Sequence, residues 1–303
     1  QPVIIAARVQ FLMSQFRTRV HRHPVASFFV LAYAISWLGF LPTVVGMDGP
    51  FGGLNLLVAQ FGPAIAGLLV LWYTGGSIRE WTGRIVKWRV PTRWWVVTLA
   101  IPIVVFGVTS LGFAALGYDP ELTRLPDPLL TFLPTLVGLS LLAGLGEEPG
   151  WRGFGLPKLQ AAYGPLGGTL LLGTVWATWH LPVFWVDPRS SHGITDPLVL
   201  GGMVGLTALG IVLYSFFYTW VYNNTGSVLL MMLLHGGFNT ATTHLMPFAD
   251  ELVFGPTYTT LLALQVGVLL VSVLLLMLLT GGRLGYDGEA AWSVQREESA
   301  PAT

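Results

Sequence analysis

Residues 258–279 read YTTLLALQVGVLLVSVLLLMLL, with no formally charged side chain. A bilayer's hydrocarbon core, about 30 Å thick, is crossed by about 20 mostly apolar residues in a helix. Hydrocarbon offers the backbone no water, so a spanning segment satisfies its own N–H and C=O groups as a helix. Seven further stretches carry the same signature, at 24–46, 54–74, 94–116, 128–146, 166–186, 198–222 and 227–246. The expectation is an all-α polytopic membrane bundle of about eight transmembrane helices. Composition agrees. Of 303 residues, 53% are hydrophobic and 10% charged, and the mean hydropathy is +0.66. A soluble domain carries roughly 25% charged residues. A soluble enzyme, a disordered chain and a nucleic-acid binder with a basic face are excluded. Cysteine is absent, which removes disulfides, a thiol nucleophile and Cys-ligated metals.

Positive charge in the connections sets orientation. Arg8, Arg17, Arg19 and Arg22 precede the first stretch, and Arg79, Arg84, Lys87, Arg89 and Arg93 follow the second. Arg152 and Lys158 lie in the connection 147–165, and Arg283 and Arg296 in the tail. Only Arg124 and Arg189 fall on the other side. Eight spans with both termini cytoplasmic satisfy this distribution. The expected organisation is a basic N-terminal segment over 1–23, a single transmembrane domain over 24–279 and a polar tail over 280–303. The apolar residues Val9, Leu12, Met13, Phe16 and Val20 recur at helical spacing, which suits an interfacial helix over 1–22 or a plain basic tail. The first span lacks a clean cleavage site and reads as a retained helix.

An ionisable group in hydrocarbon costs about 2.5–3.5 kcal/mol on insertion scales, so one that persists there usually has a task. Glu147 and Glu148, His180, and His235 with Asn239 are such groups, and Arg152 follows the glutamates. Adjacent carboxylates in an apolar setting repel, which poises one for proton transfer. Glu148 and Arg152, four apart, share a helix face as an ion pair, leaving Glu147 about 100° away. Pro149 should bend the helix or open a turn there. Trp176 and His180, four apart, bring an indole onto an imidazole. His235 and Asn239 share a face and could both donate to an oxyanion, while Gly236 and Gly237 permit a close helix approach. Each feature also has a structural reading: an ion-pair staple, a buried histidine on a carbonyl, an interhelical hydrogen bond. Together they could activate water, with a carboxylate and a histidine as bases. Alternatively His180, His235 and Glu147 could hold zinc with an open position for water. Depth fits imperfectly. At 1.5 Å per residue His235 lies about 12 Å and His180 about 21 Å from the basic side, and the glutamates only a few ångström. A re-entrant 147–165 would reconcile them.

Glu147-Glu148-x-x-x-Arg152, Trp176-x-x-x-His180 and His235-x-x-x-Asn239 resemble the three motifs of the CPBP family. It comprises CAAX proteases and bacteriocin-processing or self-immunity (Abi) proteins, and includes the Ras-converting CAAX endopeptidase. The string EEPGWRGFGLPKLQ, followed by WATWHLP, strengthens the likeness, which covers about 128–246. One departure is Trp176, where the family usually has phenylalanine. The resemblance implies an intramembrane endopeptidase acting on a membrane-anchored protein or peptide. Glu147 would activate water with His180 assisting, His235 and Asn239 would stabilise the oxyanion, and Glu148 and Arg152 would order the site. It leaves zinc and a metal-free glutamate mechanism both open. It also leaves a non-enzymatic immunity or scaffold protein as the alternative. The use of 13 Arg against 2 Lys suggests a GC-rich genome and hence a bacterial plasma membrane. Partners are then the lipid bilayer and a membrane-associated substrate, with no nucleic acid; the oligomeric state stays open. A serine protease would need a different setting from Gly-Leu-Ser140-Leu, and a transporter should show an inverted repeat, which the chain lacks.

Overall fold

The computed structural model describes residue 15 and residues 18–47, 49–186, 194–253 and 256–288. Most of the expected interfacial helix over 1–22, the loop holding His192 and most of the polar tail lie outside the described residues. The described chain is helical, with no strand. Its elements are α1 (Pro24–Val44), α2 (Gly52–Gln60), α3 (Gly62–Tyr73), α4 (Ile78–Ile85) and α5 (Thr92–Ala115). A long helical path over 128–179 follows, containing α6 (Leu133–Leu139), α7 (Leu145–Gly150) and α8 (Leu156–Trp179). The short α9 (Val183–Val186), then α10 (Pro197–Thr225), α11 (Val228–His244), the short α12 (Asp250–Val253) and α13 (Thr257–Thr280) complete it.

Five of these are long and apolar enough to cross a membrane: α1, α5, the path 128–179, α10 and α13. A sixth results if α2 and α3, bent by 57°, count as one broken span. Eight spans were expected, and the difference has two sources. The stretches 128–146 and 166–186 are counted together on one helical path, although it reverses between them, and α11 has only 17 residues, about 26 Å. The path of 52 residues would measure about 78 Å if straight. It is not straight: Gly164 takes φ 69° and ψ 175°, open to glycine and strained for other residues. Beyond it Gly168 lies against Leu159 and Gln160, where an added Cβ would stand 2.8 Å from the Gln160 nitrogen. Eight residues of straight helix would separate them by about 12 Å, so the chain folds back at Gly164-Pro165. Helix α8 ends at Trp179, short of the expected 186, because His180 to Pro182 form a turn.

The path changes pitch three times, at Pro128–Phe132, Ser140–Gly144 and Trp151–Gly155, where the turns are of the wide π type. The last two flank α7. They accommodate Pro149, which lacks an N–H and crowds the carbonyl four residues back. The expected bend at Pro149 is therefore a change of pitch within a continuing helix. The glutamates sit well inside the path, not near its edge, at the level where Trp176 and His235 meet them. Arg152, expected among the basic residues of a connection, is fully buried.

Glycines set the packing. Gly146 abuts the Gln60 carbonyl, Gly150 abuts Pro63, and Gly67 approaches the Gly150 Cα, so the bent pair α2–α3 rides directly on α7. Gly144 meets Met232 and Gly236 meets Ser140, which seats α11 on the same path. Phe28 of α1 closes over Trp151 and Phe154, with ring centroids 5.3 and 5.2 Å away. The outward faces remain apolar; Leu278 and Leu279 are 78% and 86% exposed, as suits contact with lipid chains.

Candidate active site

Helix α7 presents its two glutamates in different directions, as adjacent positions on a helix must. Glu148 is fully buried and faces Arg152 one turn on. The Arg152 Nη1 donates to both Glu148 oxygens at 3.0 Å, and Nη2 donates to Ser215 Oγ of α10 at 3.3 Å. The guanidinium lies over the rings of both Trp176 and Tyr218, 4.2 and 4.1 Å from their centroids. A buried charge demands such compensation, and of the three guanidinium nitrogens Nε is the one without a hydrogen-bond partner among the described residues.

Glu147, 2% exposed, turns the other way. Its Oε1 accepts from Gln60 Nε2 at 2.8 Å, and its Oε2 from Trp176 Nε1 at 2.6 Å and Trp151 Nε1 at 3.3 Å. His235 of α11 bridges the two carboxylates. Its Nδ1 stands 2.8 Å from Glu148 Oε1 and its Nε2 3.8 Å from Glu147 Oε1. A carboxylate can only accept, so Nδ1 carries the hydrogen and Glu148 sets the tautomer. The Nε2 is thereby aimed at Glu147. This couples the chain Arg152–Glu148–His235 to Glu147 across a short gap.

His180 caps the end of α8. Its Nδ1 lies 2.8 Å from the Trp176 carbonyl, which assigns that nitrogen the hydrogen and leaves Nε2 free to accept. The Trp176 indole edge packs on both imidazoles, with centroids 5.5 Å from His180 and 5.7 Å from His235. Asn239 lies one turn beyond His235, half-buried, and its carboxamide makes no hydrogen bond among the described residues. Glu147, Glu148, Arg152, Trp176 and His235 are thus in mutual contact. His180 and Asn239 border them with one ring nitrogen and one amide uncommitted.

Among the described residues no three His, Asp or Glu side chains are grouped to share a metal ion. The zinc set raised by the sequence, His180, His235 and Glu147, is not gathered in that way. His235 commits its Nδ1 to Glu148. Ser140 donates to the Leu136 carbonyl at 2.7 Å and lies beneath Gly236, a packing role.

Sequence reasoning missed Gln60, Trp151, Ser215 and Tyr218, and it treated Trp176 as packing only. It searched the spans mainly for ionisable groups. The two amides of the apolar run 54–74, Asn55 and Gln60, are a usable signal. Trp81 of α4 was missed as well; its Nε1 donates to the Pro149 carbonyl at 3.0 Å.

The fold and the site define a class: an integral, multi-pass helical membrane protein with buried acid–base groups at its centre. Residues 128–241 match the family described as Type II CAAX prenyl endopeptidase Rce1-like. Over this segment, rather more than a third of the chain, the sequence is similar to the CPBP/CAAX protease family. A relative from Methanococcus maripaludis, named CAAX prenyl protease 2, is 31% identical over 108 residues. That alignment covers 34% of this chain and 38% of the relative, so the chain spans well under half of the relative it matches. All six motif residues lie within the matched segment.

Proposed function

We propose that this chain is an endopeptidase of a bacterial plasma membrane that hydrolyses a peptide bond in a membrane-anchored protein or peptide. One observation carries the reading: a buried glutamate, Glu147, stands 3.8 Å from a histidine nitrogen whose tautomer a second glutamate sets. Such a pair can hold and deprotonate a water. In the step we infer, Glu147 takes a proton from that water, and the resulting hydroxide adds to the scissile carbonyl. The free amide of Asn239 and His235, carrying a second hydrogen on Nε2 at this stage, then donate to the tetrahedral oxyanion. The proton held by Glu147 passes to the leaving amine as the C–N bond breaks. His180, with its Nε2 free, assists the proton transfers, and Arg152 holds Glu148 in line. The family likeness supports the same reaction class.

The relative's name refers to a prenyl protease, and C-a-a-X marks a cysteine that receives a prenyl chain. We therefore take a lipid-anchored peptide as the first probe. The full chain is reconstituted in liposomes with an internally quenched peptide carrying an S-prenylated cysteine. The same peptide without the prenyl group runs beside it. The wild type cleaves at least one probe, and Glu147→Gln lowers the rate by about 10²–10⁴-fold while remaining folded. Cleavage by Glu147→Gln at the wild-type rate would overturn the assignment.

A further inference from the structure

Three N–H groups converge on Glu147, and none belongs to the groups assigned to the substrate. Gln60 Nε2 reaches Oε1, Trp176 Nε1 reaches Oε2, and Trp151 Nε1 adds a longer contact to Oε2. We propose that Gln60 and Trp176 are positioning residues that aim the Glu147 carboxylate, one oxygen each, so that Oε1 stays beside His235 Nε2. The proposal rests on the reading of Glu147 given above and deepens it.

A glutamate has three rotatable side-chain bonds, and its terminal torsion is broad and roughly two-fold. A single donor would fix one oxygen and leave the carboxylate plane free to turn. Two donors on different oxygens, from different helices, fix both the plane and the reach. At 2% exposure water is largely excluded from that task.

The surroundings hold the donors in turn. Gln60 is the last residue of α2, at the break of the bent pair. It can approach Glu147 because Gly146 leaves a notch; a Cβ there would stand 2.6 Å from the Gln60 carbonyl oxygen. Trp176 cannot tip its N–H away without losing the face it lays on Arg152. The bland alternative is that both contacts merely join helices. The two readings part at Trp176→Phe, which keeps a ring against Arg152 and His235 but removes the N–H along with part of the indole. Gln60→Met is the matching change on the other oxygen, similar in length and without a donor.

The test uses the full chain in liposomes and the prenylated quenched peptide. Each variant should lower kcat by about 10-fold with KM within about twofold, as expected when a reacting group is held less well. Melting temperatures are recorded in parallel. Difference infrared spectra supply a readout independent of turnover. The carboxylate stretch of Glu147, identified by its loss in Glu147→Gln, shifts in both variants. An unshifted band, or kcat within twofold of wild type in both, overturns the proposal. Glu147→Gln separates the levels. If it cleaves as wild type does, the role of Glu147 itself falls. If it is inert while Gln60→Met and Trp176→Phe are unchanged, only the positioning role falls.

Discussion

Thr257–Thr280 and Ser140–Gly155 are both helical segments of this bundle, yet they are built on opposite terms. The first runs 24 residues in regular α-turns, with leucines such as Leu274, Leu275, Leu278 and Leu279 exposed on its outer face. The second changes pitch twice in 16 residues, and from Ala143 to Gly155 only Leu145 is less than buried. A helix that faces lipid on one side needs no exact azimuth, because apolar neighbours are interchangeable there. A helix enclosed on all sides must aim each polar group at a partner. A wide turn is a means of re-aiming, since it advances the following side chains around the axis. Irregular backbone is thus concentrated where carboxylates and a guanidinium have to be satisfied without water.

This contrast can be broken experimentally. Arg152→Ala leaves the Glu148 charge buried and unpaired, and should cost about 3–5 kcal/mol in reversible unfolding from detergent. Replacing both partners by Glu148→Leu and Arg152→Met should recover much of that loss. A cost below about 1 kcal/mol would mean that water reaches the pair. Gly236→Ala should cost about 1–3 kcal/mol by overpacking, because its methyl would meet Ser140, whose nitrogen would lie 2.7 Å away. Gly267→Ala on α13 has nothing within 4 Å and should stabilise by about 0.5–1 kcal/mol through helix propensity. Equal signs for these two alanines would erase the distinction between the regions. Trp81→Phe removes the bond to the Pro149 carbonyl and should lower stability by about 1 kcal/mol in the same assay. The smallest effect belongs to Leu278→Ala, expected within about 0.5 kcal/mol because that residue is 78% exposed.

Hydropathy made the helical class legible, since 22 uncharged residues in a row admit few other structures. The motif residues were legible for a related reason: Glu147, Glu148, Arg152, His180, His235 and Asn239 are polar where polarity is costly. The number of spans was less legible. The run from Glu147 to Tyr163 carries two acids, two bases, two prolines and several glycines, the composition of a connection. It continues as helix because Arg152 is paired internally and wide turns absorb Pro149. The reversal was written at Gly164-Pro165, a dipeptide that marks turns, but an apolar threshold passes over it. Gln60 and Ser215 escaped because neutral polar groups are ordinary in membrane helices, and only their partners reveal a role.

The glycine notch on α7 bears on how this chain can be taken apart. The matched segment 128–241 holds every motif residue, which invites treating it as a transplantable module. Yet Gly146 and Gly150 are recesses shaped for Gln60 and Pro63, and Phe28 and Trp81 close the remaining sides. A chimera joining 128–241 to the first helices of a distant relative would set those recesses against an unrelated surface. The two parts have to be exchanged together, so a graft should carry 24–85 along with the motifs.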